Sequence, residues 1–183
     1  MAKGRRSNKG EISTPNPTSP ETSTKTRVDG ELGKPASEPF FSRVDWLTGL
    51  IVLLISLAAY LYTLAPDVTL EDSGELAVGS MYAGVPHPPG YPMWTIYSWF
   101  FTKILPFSNI AWRVAVSSAV AAALSSGLLA LMVSRGSNLI LSSISQFKGM
   151  SSKHIQMLCI AAGMSSGLIF AFNGFIWSQA VIV

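Results

Sequence analysis

The sequence predicts an all-α, polytopic membrane protein, and three observations carry this prediction. Hydrophobic residues make up 49% of the chain and charged residues only 13%, whereas soluble domains usually carry about a quarter charged residues. Uncharged apolar runs of about 20 residues, the length that crosses a bilayer as a helix, recur along the chain. Most charged side chains lie in the first 45 residues, so the remainder is depleted in them.

The chain divides into a polar tail (residues 1–42) and a membrane domain (residues 43–183). The tail is rich in Ser, Thr, Pro, Gly and charged residues, and it has too few apolar side chains to offset chain entropy, which predicts a disordered cytoplasmic segment. Because no aromatic residue precedes Phe40, a stacking surface for nucleic acid is not expected. A single cysteine, Cys159, excludes an internal disulfide framework.

Apolar runs within the membrane domain predict its spans. They lie at about 46–64, 92–105, 110–133 and 155–172, with the start of another at 175–183. The second run is short, so it is either a crossing helix or a re-entrant one. The last run is incomplete, which predicts that the chain is the N-terminal fragment of a longer protein.

The positive charges predict the side that each connecting segment faces. The outer loop, residues 65–91, has no Lys or Arg, so the positive-inside rule places it opposite the cytoplasmic tail. If 92–105 crosses the bilayer, Arg135, Lys148 and Lys153 face outward, against the rule. If it is re-entrant, they face inward. Both alternatives leave the outer loop on the outer or lumenal side.

The outer loop gathers every acidic residue that follows Asp45, namely Asp67, Glu71, Asp72 and Glu75. Carboxylates beside a membrane are costly unless they are hydrated, paired or functional. Two neighbouring carboxylates suit either a general base with a partner or the coordination of a metal ion.

Helix capping is the structural alternative for the same residues. With a short helix predicted over 73–83, Asp72 as N-cap and Glu75 three residues on resemble a capping box, and Thr69 with Asp72 offers a second register. The local pattern leaves capping and catalysis both open.

The second half of the outer loop, residues 85–92, is called the proline strap. Its four prolines fix φ and favour extended geometry before them, so the strap is predicted to be stiff and non-helical. Gly90 is its one flexible joint. His87 is either a solvated residue of a structural turn or a group that contacts a phosphate or sugar hydroxyl. A lone His is a poor metal-site signal, so no metal ligands are assigned.

Several motifs occur in a fixed order: EDSGEL at 71–76, HPPGYP at 87–92, NIAWR at 109–113 and FIWSQAV at 175–181. This order resembles the membrane family typified by transmembrane protein 260, a protein O-mannosyltransferase. The resemblance covers roughly residues 45–183, and the first two motifs are more specific together than either is alone. That family is in turn similar to the GT-C glycosyltransferases, which use lipid-phosphate-linked sugars.

The resemblance implies a GT-C-like N-terminal helical bundle whose outer loop contains a short helix. It implies transfer of a sugar from a lipid-phosphate donor to an acceptor hydroxyl at the outer or lumenal face. Asp72 matches the acidic position and is the first choice for general base, with Glu71 and Glu75 as second choices. The strap residues expected near the donor phosphate are His87, Pro88, Pro89 and Tyr91. The resemblance also favours 92–105 as a crossing span.

The implied partners are membrane lipid, a polyprenyl-phosphate sugar as donor, and a protein or glycan acceptor. A divalent cation is left open as a cofactor, and a phosphate-binding Arg or Lys is expected from later spans. We expect a multi-pass protein of a bacterial inner membrane in preference to the endoplasmic reticulum, since a polar tail replaces a signal peptide. The alternatives are a multi-span transporter and a non-catalytic membrane scaffold.

Overall fold

The structure is a computed structural model, and it describes residues 39–69, 72–88, 90–147 and 149–182. Within those ranges every regular element is helical. The helices are α1 (Arg43–Thr63), α2 (Ser73–Tyr82), α3 (Pro92–Ile104), α4 (Ile110–Ser143), α5 (Ser152–Ala171) and α6 (Gly174–Val181), with a 3₁₀ turn at Ser145–Phe147. Most of the predicted disordered tail, residues 1–38, lies outside the described residues.

Three helices, α1, α4 and α5, are long and apolar enough to cross a membrane by length and composition. The prediction of an all-α membrane protein is therefore confirmed. These helices extend beyond the predicted apolar runs chiefly where polar residues flank the runs. α1 begins at Arg43 because Ser42 and Asp45 form a capping box, and α4 continues beyond the predicted run 110–133 to Ser143.

Small residues let the three long helices approach closely. A Cβ placed on Gly49 would lie 2.8 Å from the carbonyl oxygen of Gly127, and the reverse contact has the same distance. A Cβ on Gly163 would lie 2.7 Å from the carbonyl oxygen of Ala130. Glycine is required at these crossings because any side chain would push the backbones apart.

Contacts at both ends show that α1 and α4 run antiparallel. Near the start of α1, the Ser134 hydroxyl donates a 2.6 Å hydrogen bond to Asp45 Oδ1. Beyond the end of α1, Asn109 Nδ2 donates to the carbonyl oxygen of Pro66 at 3.0 Å. The end of the bundle where α1 ends and α4 begins is called the site end, and the opposite one the Asp45 end.

α3 does not carry the chain to the Asp45 end. Its 13 residues span about 20 Å, less than the roughly 30 Å of a bilayer core. Its last turn lies at the site end, where Arg113 Nη1 donates to the carbonyl oxygen of Thr102 at 3.2 Å. The crossing span predicted at 92–105, which the family resemblance favoured, is thus not what the structure has, and α4 makes the return crossing of the bundle.

Candidate functional site

A buried serine fixes the first turn of α2. The backbone N–H of Thr69 donates to Ser73 Oγ at 3.0 Å, and the Ser73 hydroxyl donates to the carbonyl oxygen of Thr69 at 2.8 Å. Ser73 is fully buried. The turn that carries Asp72 and Glu75 is therefore held by Ser73, without help from either carboxylate.

Neither carboxylate caps the helix. Asp72 occupies the N-cap position of α2 but makes no side-chain capping hydrogen bond. The carboxylate of Glu75 points to the proline strap. The capping-box interpretation of these two residues is therefore wrong, and both acids are left available for another role.

Glu75 binds His87 at two points. One carboxylate oxygen accepts the backbone N–H of His87, and the other lies 3.0 Å from the ring Nδ1. These contacts join the first turn of α2 to the strap across 12 positions of sequence. Sequence reasoning missed this pair, because spacing alone gives no sign that the strap folds back on α2.

Asp72 faces the other nitrogen of the same ring. Its Oδ2 lies 3.8 Å from His87 Nε2, and its side chain is 64% exposed, against 48% for Glu75 and 39% for His87. His87 therefore lies between two carboxylates, of which only that of Glu75 makes a hydrogen bond to it. Asp72 is the carboxylate with room for a further partner.

One ligand atom from each of Asp72, Glu75 and His87 lies within 4.8 Å of the other two. Two carboxylates and an imidazole are a donor set that a divalent cation accepts. If a divalent cation bound here, Asp72, Glu75 and His87 would hold it, and it would supply positive charge beside the substrate. The sequence assigned no metal ligands because no second His or Cys lies near His87; the structure places two carboxylates beside it, and the absence of a metal stays a prediction.

The pairing changes the acid–base properties of both groups. The hydrogen bond from the His87 side chain, followed by that from its backbone N–H, lowers the pKa of Glu75 below its ordinary value. The hydrogen bond to Glu75 and the charge of that carboxylate raise the pKa of His87, with a smaller contribution from Asp72. Both side chains are exposed, so solvent screens these interactions.

Turns in the strap set the position of His87. The backbone N–H of Gly90 donates to the carbonyl oxygen of His87 at 2.9 Å. Gly90 has φ +86, and a Cβ there would lie 2.8 Å from Val85 Cγ1, so glycine is required. Tyr91 also has a positive φ of 40, and its ring packs edge-on against that of His87 at 6.2 Å between centroids.

The cationic side chains nearest the site in sequence are engaged in the α3–α4 connection. Arg113 donates to the carbonyl oxygens of Thr102, Phe107 and Ser108 at 2.9–3.2 Å. Lys103 lies over the Trp99 ring at 5.8 Å. Arg113 therefore closes the end of α3, and its guanidinium has a structural partner at each of its three nitrogens.

The structure brings together part of the predicted site. Asp72, Glu75 and His87 form one cluster, and Tyr91 contacts the His87 ring. Pro88 lines an open hollow of about 560 Å³ beside Glu75 and His87. Two further predicted site residues, Glu71 and Pro89, lie outside the described residues.

Comparison with known proteins shows which family the chain belongs to. Residues 72–183 match the family described as the protein O-mannosyl-transferase TMEM260 N-terminal domain. The matched region begins at Asp72, so it includes the Asp72–Glu75–His87 cluster and the strap. No solved structure matches the chain, so the predicted GT-C-like bundle stays a prediction.

Two relatives carry the same description. Over 155 residues the chain is 28% identical to protein O-mannosyl-transferase TMEM260 of Mus musculus, covering 84% of this chain and 19% of the mouse protein. Over 87 residues it is 34% identical to the Dictyostelium discoideum protein of that name, covering 45% of this chain and 11% of the relative. The chain thus spans a fifth or less of these relatives. Both are eukaryotic, so they give no support to the bacterial membrane that the tail suggested.

Proposed function

Because the chain belongs to the TMEM260 N-terminal domain family, we propose that it forms part of a membrane glycosyltransferase. The reaction is transfer of a sugar, as in protein O-mannosylation, from a lipid-phosphate donor to a hydroxyl of a protein acceptor. One observation carries the proposal: Asp72 presents a carboxylate that is free of capping contacts, exposed, and next to His87.

Asp72 is the general base of the proposed reaction. Its carboxylate takes the proton of the acceptor hydroxyl while that oxygen attacks the anomeric carbon of the sugar. The new glycosidic C–O bond forms as the bond from the anomeric carbon to the phosphate oxygen breaks. The electron pair of that bond leaves with the lipid phosphate, and the sugar inverts its configuration. The carboxylate of Asp72 suits this role because it is exposed and makes no hydrogen bond to the described residues of the protein, so it can reach a substrate hydroxyl.

His87 lies where it can meet the donor phosphate. Its raised pKa gives it more positive charge near neutral pH than an ordinary histidine. The open hollow beside it, lined by Glu75, Pro86 and Pro88, leaves room for a substrate group. The strap would then position the donor while Asp72 acts on the acceptor.

An apolar groove of about 330 Å³ supports a lipid-linked donor. Leu76, the residue after Glu75, lines it together with Trp94 of α3, and Ala121 and Ala122 of α4 lie along it. The groove and the acidic cluster thus share helix α2, although Asp72, Glu75 and His87 do not line the groove. A polyprenyl chain in this groove would bring its phosphate towards His87.

The distribution of charge supports an outer or lumenal location for the cluster. Arg43, Arg135 and Lys153 lie in the parts of α1, α4 and α5 near the Asp45 end. Lys103 and Arg113 lie at the site end, so among the described residues the excess of positive charge at the Asp45 end is three residues against two. The positive-inside rule assigns that end to the cytoplasm. The site end, with Asp72 and Glu75, then faces the opposite compartment.

A reconstituted transfer assay tests the proposal. The full-length protein in liposomes receives a radiolabelled polyprenyl-phosphate mannose and an acceptor peptide rich in Ser and Thr. We expect labelled peptide from wild type and from Asp67→Asn, a matched change of a neighbouring exposed acid. We expect little or none from Asp72→Asn. Absence of transfer from every form of the protein, with donor integrity verified, would contradict the proposed activity.

A further inference from the structure

The two acids of α2 are engaged differently although they lie on the same helical turn. Both oxygens of Glu75 are occupied by His87, one by the backbone N–H and one by Nδ1. Asp72 has no such hydrogen bond and is the more exposed of the two. The Glu75 carboxylate is therefore restrained against His87 and would have to break one of these contacts to turn towards a substrate hydroxyl, whereas Asp72 would not.

The contact with Glu75 also determines which ring nitrogen of His87 is available. An imidazole that is paired through Nδ1 with a carboxylate carries its proton on Nδ1. Nε2 then points away from Glu75 and lies 3.8 Å from Asp72 Oδ2. The second hydrogen bond, to the backbone N–H, holds the main chain at the same residue and limits rotation of the ring relative to α2.

The strap has other anchors besides Glu75. The N–H of Gly84 donates to the carbonyl oxygen of Gly79 at 2.8 Å, and Pro86 lies against Gly79, where a Cβ would be 3.5 Å from Pro86 Cδ. The Gly90 N–H bond to His87 closes the turn that follows. Loss of the Glu75 charge should therefore free the imidazole without unfolding the strap.

We infer that Glu75 is a positioning residue that acts through His87, holding the imidazole so that Nε2 and the Asp72 carboxylate face a common substrate position. This inference rests on the proposed function, because Asp72 and His87 are its two substrate-facing groups. The sequence suggested Glu75 as a second choice for general base. The inference gives it a different role, that of orienting His87. In metal sites, a carboxylate that orients a ligating histidine contributes about 10- to 100-fold to metal affinity or activity, and we expect an effect of that order for Glu75.

The contact itself is tested without any enzyme assay. The 183-residue chain contains two histidines, so selective ¹³C and ¹⁵N labelling of histidine permits NMR titration of His87. In Glu75→Gln, which keeps the size of the side chain, we expect the midpoint of the His87 titration to fall below that of wild type. Asp67→Asn should leave it in place. An unchanged midpoint in Glu75→Gln would overturn the inference.

Transfer kinetics of the full-length protein then separate positioning from proton abstraction. Glu75→Gln should lower kcat about tenfold, with an unchanged KM for the acceptor. In a His87→Asn background, Glu75→Gln should have no further effect, because the two residues act as a unit. The positioning role of Glu75 would be overturned if the losses of activity from Glu75→Gln and His87→Asn added up in the double variant. It would also be overturned if Glu75→Gln lost as much activity as Asp72→Asn. Inactive wild type would overturn the proposed function, while the titration still reports on the contact.

Discussion

The Ser134 hydroxyl donates a 2.6 Å hydrogen bond to the buried carboxylate of Asp45. This bond joins the first turn of α1 to the distal part of α4, so the two helices cross the bundle in opposite directions. Since α1 and α4 are both long enough to span a membrane, the segment between them begins and ends on one side. Residues 64–109, including α3, then belong to the site end.

Cysteine accessibility tests this topology. In a Cys159→Ala background, we expect Asp67→Cys and Ser143→Cys to be labelled from opposite sides of the membrane, with Ser143→Cys on the side of the tail. Both positions are exposed, so a membrane-impermeant maleimide can reach each. Labelling of both from the outer side would mean that α3 crosses and that the arrangement described here is wrong.

The close approach of α1 and α4 predicts opposite effects for two glycines of one helix. In Gly127→Ala the new Cβ would lie 2.8 Å from Gly49 O and 2.9 Å from Leu53 Cβ, so we expect a loss of about 1–3 kcal/mol in the free energy of unfolding. At Gly136 nothing lies within 4 Å, so Gly136→Ala should gain up to about 1 kcal/mol through helix propensity. Unfolding in detergent micelles measures both, and equal effects would argue against the packing.

The Glu75–His87 pair is expected to stabilise the folded protein within a limited range of pH. The lowered pKa of Glu75 means that its contribution to stability is present above the ordinary value of 4.5 and is lost as pH falls through the folded value. The raised pKa of His87 means that its contribution is present below 6.5 and is lost as pH rises through the folded value. Wild type should therefore exceed Glu75→Gln in unfolding midpoint most clearly between pH 4.5 and 6.5. A difference that keeps growing into alkaline pH would contradict this pairing.

The positions of the long helices could be predicted from the sequence because uncharged apolar runs determine them locally. α1, α4 and α5 all appear where such runs occur. The direction of α3 could not be predicted in the same way. It depends on tertiary contacts, notably that of Arg113 with the end of α3, and a short apolar run is compatible with crossing or returning.

For the site, the sequence predicted that Asp72 and Glu75 share one turn of a helix and that His87 lies on a stiff segment. It did not predict which acid contacts His87. That outcome depends on the positive φ of Gly90 and on the packing of Pro86 against Gly79, which fold the strap back on α2. The capping-box pattern was misleading because Ser73 holds the first turn in place of Asp72.

The central claim is that Asp72 accepts the proton of the acceptor hydroxyl, and single-turnover transfer by Asp72→Asn tests it most directly. Asparagine keeps the size of the side chain, and Asp72 makes no capping bond, so the variant should unfold at the wild-type temperature. We predict a rate of transfer about 10²- to 10⁴-fold below wild type, with Asp67→Asn close to wild type. A folded Asp72→Asn that transfers sugar at the wild-type rate would contradict the claim.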